Sequence, residues 1–213
     1  MQQFMMIAAA HFLALLSPGP DFFLVARTSL SSSWRIASGA CLGIALANGV
    51  FIVAAFGGVA AFKSDSIWFL ALQVAGCTYL LYLGVVFIRH AGKSNLRLPS
   101  SDPMAASSPA QPFAAWLHAA GMGFLSGILN PKNALFYASL AAMLTGPHSS
   151  GLWKAIYGTW MFSVVLLWDV LIAVLIGNQA VLRRFSRALP WLERLSGVML
   201  ILLATIVVVV LLF

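Results

Sequence analysis

Three stretches of this chain are long enough to cross a membrane and carry no charged side chain: Ile36 to Phe62, Ile67 to Ile88 and Leu195 to Phe213. A helix needs about 20 mostly apolar residues to cross the hydrocarbon core of a bilayer. A water-soluble fold would have to cover all three with polar surface, and the remaining residues do not supply it. Only 8% of the 213 residues are charged, against about 25% in soluble domains. In a bilayer the outer surface meets lipid, so a polar shell is not needed.

Three further apolar runs are interrupted. Phe4 to Ala26 contains Ser17-Pro18-Gly19-Pro20-Asp21, the run from about Leu117 to Leu144 contains Asn130-Pro131-Lys132-Asn133, and the run from about Ala155 to Ile176 contains Asp169. The pattern predicts an all-α polytopic membrane protein with six transmembrane helices. The leading residues Met1-Gln2-Gln3-Phe4 lack the basic segment of a cleaved signal, so the first run is expected to stay as a span.

The net charge of +7 comes from short gaps between apolar runs. Arg27 and Arg35 fall in the first gap, Arg89, Lys93 and Arg97 in the third, and Arg183, Arg184, Arg187 and Arg194 in the fifth. The second and fourth gaps hold Lys63 and Lys154 alone. Cytoplasmic loops collect Lys and Arg, which puts odd-numbered loops inside and both termini outside. No basic stripe interleaves with aromatics, so nucleic acid is not an expected partner; the bilayer is.

A segment rich in Pro, Ser and Ala, Pro99 to Pro112, reads as a cytoplasmic linker. It divides the chain into residues 1–98 and 113–213, each with three spans. Each part opens with a proline-broken span. The next span carries one strongly polar residue, Asn48 or Asp169, followed by a glycine, Gly57 or Gly177. Three is odd, so the second part enters the membrane upside down, as in transporters built from inverted repeats.

Proline removes a backbone donor and clashes with the preceding helical turn. Irregular backbone at membrane depth is tolerated where it is packed in protein or lines a cavity. Pro18, Gly19, Pro20, Asn130 and Pro131 therefore mark candidate site backbone, a simple kink being the alternative. Asp21, Lys132 and Asp169 are ionisable within spans, where a charge costs about 2.5–3.5 kcal/mol on insertion scales. They are expected to face inward, although Asp21 could cap a helix near the interface, Lys132 could snorkel, and Asp169 could pair with a neighbouring helix. An amino acid offers an ammonium to Asp21 and a carboxylate to Lys132 and to exposed amides at a broken helix. Asn48 completes the expected pathway. His11 and His118 lie in or near spans and titrate in a range useful for protons, but packing roles are as natural.

No nucleophile sits beside a base, and no glycine-rich phosphate loop is present, so neither an enzyme nor a bound cofactor is expected. Cys41 and Cys77 lie apart without metal-ligand spacing. Gly39 with Gly43, and Gly123 with Gly127, allow close helix packing inside the bundle or across a homodimer.

The motifs Ser17-Pro18-Gly19-Pro20-Asp21-Phe22-Phe23 and Asn130-Pro131-Lys132 together resemble the LysE/RhtB family of bacterial amino-acid exporters, with the nearest likeness to the threonine and homoserine (lactone) branch. That resemblance implies an inner-membrane carrier expelling a small neutral amino acid, with protons as the coupling ion by antiport. It carries over to Pro18, Gly19, Pro20, Asp21, Asn130, Pro131 and Lys132. Asp169 is in no such motif and rests on its buried position alone. A divalent metal-ion exporter on the same architecture and a non-transporting membrane scaffold are the alternative readings.

Overall fold

A computed structural model describes residues 2–16, 19–60, 67–92, 112–142, 150–176 and 179–212. Among them are eight α-helices and no strand: α1 (Gln2–Leu16), α2 (Pro20–Ser31), α3 (Trp34–Ala60), α4 (Ile67–His90), α5 (Pro112–Ile128), α6 (Pro131–Ala142), α7 (Gly151–Ile176) and α8 (Gln179–Leu212). Pro18, Gly177, Lys63 and most of the expected linker lie outside the described residues.

Trp34–Gly58, Gly151–Ile176 and Arg187–Ile206 are each long and apolar enough to cross a membrane. Two further stretches qualify as bent pairs: Ile7–Leu16 with Pro20–Ser31, at 53°, and Pro112–Ile128 with Lys132–Leu140, at 62°. The apolar part of α4, Val74–His90, is shorter. The chain is thus an all-helical membrane protein with three to five helices or helix pairs of spanning character.

Both proline interruptions are real breaks, whereas α7 runs unbroken through Asp169; the prolines sit at one particular place. Pro20 and Pro131 are the first residues of α2 and α6. At that position a missing N–H costs nothing and the fixed φ suits a helix start. Each proline therefore begins the resumed helix instead of kinking a continuous one. Asn130 caps α6, its Oδ1 accepting from the Lys132 amide at 3.1 Å.

The packing of α3 on α5 explains the glycine spacing. A methyl group on Gly43 would run into the backbone of Ala120, and one on Gly123 into that of Ala40. Gly39 faces the Trp116 backbone in the same way, and a Cβ on Gly127 would stand 2.7 Å from the Ala47 side chain. These small-residue patterns serve the inside of this chain. A second close contact joins α4 to α8, where a Cβ on Gly84 would stand 2.7 Å from the Gly197 carbonyl.

Helix α8 starts well before the expected sixth span and takes in Arg184, Arg187 and Pro190. Glu193, expected in a loop, is buried on α8. Its carboxylate accepts from the Gly92 amide at 2.9 Å. Gly92 follows α4 with φ of +81°, a conformation only glycine adopts without strain. A tertiary contact between distant residues holds this junction, so local sequence signals do not reveal it.

Two apolar clusters are separated along α3 and α7. One gathers Ile52, Phe56, Leu80, Leu140, Tyr157, Met161 and Leu200. The other gathers Val25, Cys41, Ile44, Val165, Ile172 and Ile176. Along α3 the order is Ile44, Asn48, Ile52, so a polar residue lies between the two clusters.

Gly123→Leu should disrupt the α3–α5 contact, with overpacking of about 1–3 kcal/mol or more. Gly121→Leu, on the same helix with open space around it, should be tolerated. Thermal unfolding of the two variants in detergent checks this; equal melting temperatures would mean the helices do not pack as described.

Candidate functional site

The two helix breaks meet in the middle of the bundle. Asp21, in the first turn of α2, accepts three hydrogen bonds from the other break. Ser126 Oγ on α5 donates to Oδ1 at 2.6 Å. Asn130 Nδ2 and Asn133 Nδ2 donate to Oδ2 at 3.1 and 2.9 Å. The α2 amides also favour a negative charge in the first turn.

The reverse link is made by Lys132. Its ammonium donates to the Ala14 carbonyl at 3.2 Å. Ala14 is in the last turn of α1, where carbonyls lack helical partners. The same Nζ sits 5.0 Å from the centre of the Phe87 ring, within the range of a cation–π contact. Lys132 thus satisfies a backbone carbonyl of the first break, while the side chains of the second break converge on Asp21.

A cavity of about 60 Å³ opens beside this junction. It has room for several water molecules and is far below the roughly 300–1,000 Å³ of sites for drug-sized ligands. Its polar wall holds Asp21, Asn48, Asn130, Lys132, Asn133 and Asp169, with Gly19 at the first break. Its apolar wall includes Phe22, Phe136, Val165 and Trp168. Five helices contribute: α1, α2, α3, α6 and α7.

Six of the nine residues expected from sequence, Gly19, Asp21, Asn48, Asn130, Lys132 and Asp169, line this one cavity. Pro20 is exposed and outside the lining, and Pro131 opens α6. Pro18 lies outside the described residues. Pro20 and Pro131 act by starting half-helices.

The polar groups differ in how they are satisfied. Asn48 Nδ2 donates to the Ile44 carbonyl of its own helix at 2.8 Å, leaving its amide oxygen available. Asp169 is buried, and its Oδ2 has no hydrogen-bond partner among the described residues. One cavity thus holds two carboxylates in opposite environments, Asp21 with three donors and Asp169 with an unpaired oxygen.

Three contributors escaped the sequence reading. Asn133 was seen as part of the interruption only, yet it lies one turn after Asn130 and reaches the same carboxylate. Ser126 had no distinguishing signal. Tyr137 shares a 3.1 Å hydrogen bond with His11 Nε2, both side chains being buried. His11 packs edge-on against Trp160 at 5.5 Å, whereas His118 is exposed. Among the described residues no three His, Cys, Asp or Glu side chains gather into a metal-ligand group.

Comparison with known proteins places this geometry in a lineage. The family model of the LysE type translocator matches residues 12–210. The chain belongs to the LysE family. The threonine efflux protein of Escherichia coli K12 is 29% identical over 201 residues, covering 91% of each chain. That of Salmonella typhimurium is 29% identical over 206 residues, covering 92% of this chain and 93% of its own. The leucine efflux protein of Klebsiella pneumoniae is 29% identical over 126 residues, or 59% of this chain and 55% of that one. No solved structure matches the chain. The LysE family and these relatives are transporters of the amino-acid efflux type, and that coarse function holds for this chain.

Asp21→Ala would leave three donors without their acceptor. Lost hydrogen bonds to a charged group predict destabilisation of about 2–3 kcal/mol. Asp21→Asn, which keeps an acceptor oxygen, should lose less. The comparison is thermal unfolding in detergent, and an Asp21→Ala variant as stable as the parent would mean the three bonds are not made.

Proposed function

We propose that this LysE-family chain exports a small neutral amino acid of the threonine or homoserine type from the cytoplasm, by proton antiport. It would do so across the bacterial inner membrane, as two inverted three-span repeats, residues 1–98 and 113–213, with both termini outside. The linker of residues 99–112 would lie in the cytoplasm. The observation that carries the reading is the meeting of Asp21 and Lys132 at two helix breaks beside one small cavity.

That arrangement suits a zwitterion. An ionised carboxylate has about four acceptor positions, and three donors already hold Asp21 in place. The remaining position, with the Asn48 oxygen nearby on the cavity wall, can meet an ammonium. Lys132 supplies the cation for the carboxylate, beside the N-terminal turn of α6, whose dipole favours anions. The apolar wall of Phe22, Phe136 and Trp168 is suited to a short side chain.

The size of the cavity supports a small solute, and the two separated clusters support alternating access. An apolar plug on each side of a polar chamber must part on one side at a time. Support for the substrate comes from the full-length relatives named threonine efflux proteins.

Asp169 supports the coupling. A buried carboxylate oxygen with no donor is costly as an anion. A proton removes that cost, and the positive charge of an ammonium held at Asp21 in the same cavity lowers it. Proton and substrate thus relieve the same carboxylate in turn, which is the exchange that antiport requires. Asp21, already hydrogen-bonded, is less free to alternate.

The substrate test is counterflow in proteoliposomes preloaded with threonine, homoserine, leucine or lysine, with cadmium as the metal control. Saturable exchange of a neutral amino acid is expected, falling at least tenfold in Lys132→Met. Cadmium exchange without amino-acid exchange would overturn the reading in favour of a metal carrier.

Coupling is tested separately. Asp169→Asn should keep counterflow within about threefold, since exchange needs no net proton movement, and should lose uphill export driven by an imposed pH gradient. Gradient-driven export that persists in Asp169→Asn would remove Asp169 from the coupling step.

A further inference from the structure

A second cavity, of about 730 Å³, lies away from the polar chamber, between the later half of α3 and the beginning of α7. We infer that it is a binding groove for an anionic phospholipid, with an acyl chain between α3 and α7 and the phosphate at Lys154.

Missing side chains shape the groove. Gly49 and Gly57 on α3, and Gly151 and Gly158 on α7, all line it. From Gly49 to Gly57 it runs about 12 Å along the helix axis. Gly57 and Gly151 have nothing within 4 Å of where a Cβ would stand, so the space beside them is open. The groove also faces outward. Ile52 and Phe56 turn into the core, whereas Val53, between them in sequence, is 74% exposed. In a membrane-spanning bundle that outer surface meets lipid, so an apolar channel along it is filled by acyl chain.

Lys154 makes the site selective. It lines the groove at the first turn of α7, and its ammonium donates to the Phe56 carbonyl at 3.4 Å. No carboxylate forms an ion pair with it among the described residues. One donated bond leaves two of its three N–H groups and its full charge for an anion. The dipole at the N-terminal end of α7 adds positive potential in the same place. A cation at the mouth of an apolar groove is complementary to a lipid that joins a phosphate to a hydrocarbon tail. A second copy of this chain suits the groove less well, because a symmetric contact would bring two Lys154 side chains together.

The test is native mass spectrometry of the full chain released from detergent with added phosphatidylglycerol or phosphatidylcholine. One phosphatidylglycerol per chain is expected to be retained about tenfold more than phosphatidylcholine. Lys154→Gln should remove that preference. Gly57→Leu fills the groove without a clash and should reduce retention of both lipids, while thermal stability without lipid stays unchanged. Equal retention of the two lipids by the parent chain would overturn the proposal, as would a preference that survives Lys154→Gln. A lipid-independent dimer that Gly57→Leu dissociates would overturn it too and assign the groove to a second copy.

Discussion

Everything in the centre of this protein depends on how two broken helices satisfy each other. A break inside a membrane strands amides and carbonyls where water is scarce, and each unsatisfied group is costly. Here Lys132, from the second break, takes the Ala14 carbonyl at the end of α1. Asn130 and Asn133, also from the second break, donate to Asp21 at the start of α2. The cross-bonding holds both breaks open as half-helix ends, so irregular backbone and embedded charge coexist beside a cavity. Removing either break would leave the other with unpaired groups.

The rest of the fold keeps that junction in position. Glycines bring α3 against α5 closely enough for backbone contact, and α5 leads directly into the second break. The Gly84–Gly197 contact and the Glu193 carboxylate on the Gly92 amide join α4 to α8 at a distance from the cavity. On the other side, Ser29 Oγ donates to the Ala173 carbonyl at 2.5 Å and ties α2 to α7. The helices that carry Asp21 and Asp169 are thereby linked, so movement of one is felt by the other. Such coupling between rigid elements is what a carrier needs to open one end while closing the other.

The two carboxylates of the cavity meet different environments. Three donors hold Asp21 in one orientation, whereas Asp169 has an oxygen with no hydrogen-bond partner among the described residues. The first is suited to constant charge and to orienting a ligand. The second, under the proposed antiport, is the one that changes partners. Residue type alone could not have separated these roles, because the difference lies in which neighbours arrive from other helices.

The sequence by itself determined the class of fold and the places where it would be irregular. Continuous uncharged runs of membrane length call for helices, since barrel strands are about 9–11 residues long and alternate in polarity, and Pro20 and Pro131 announce where helices must start again. It also singled out Asp21, Lys132 and Asp169, because ionisable groups within apolar runs are expensive and therefore few. Tertiary structure decided the rest. That Asp21 would be held by Ser126 and Asn133, that Lys132 would reach back to Ala14, and that Glu193 would be buried on a helix all depend on contacts between residues about a hundred positions apart. Local spacing reports the period and breaks of one helix; which faces meet is decided by packing, where a glycine's missing side chain or a single donor's reach selects the partner.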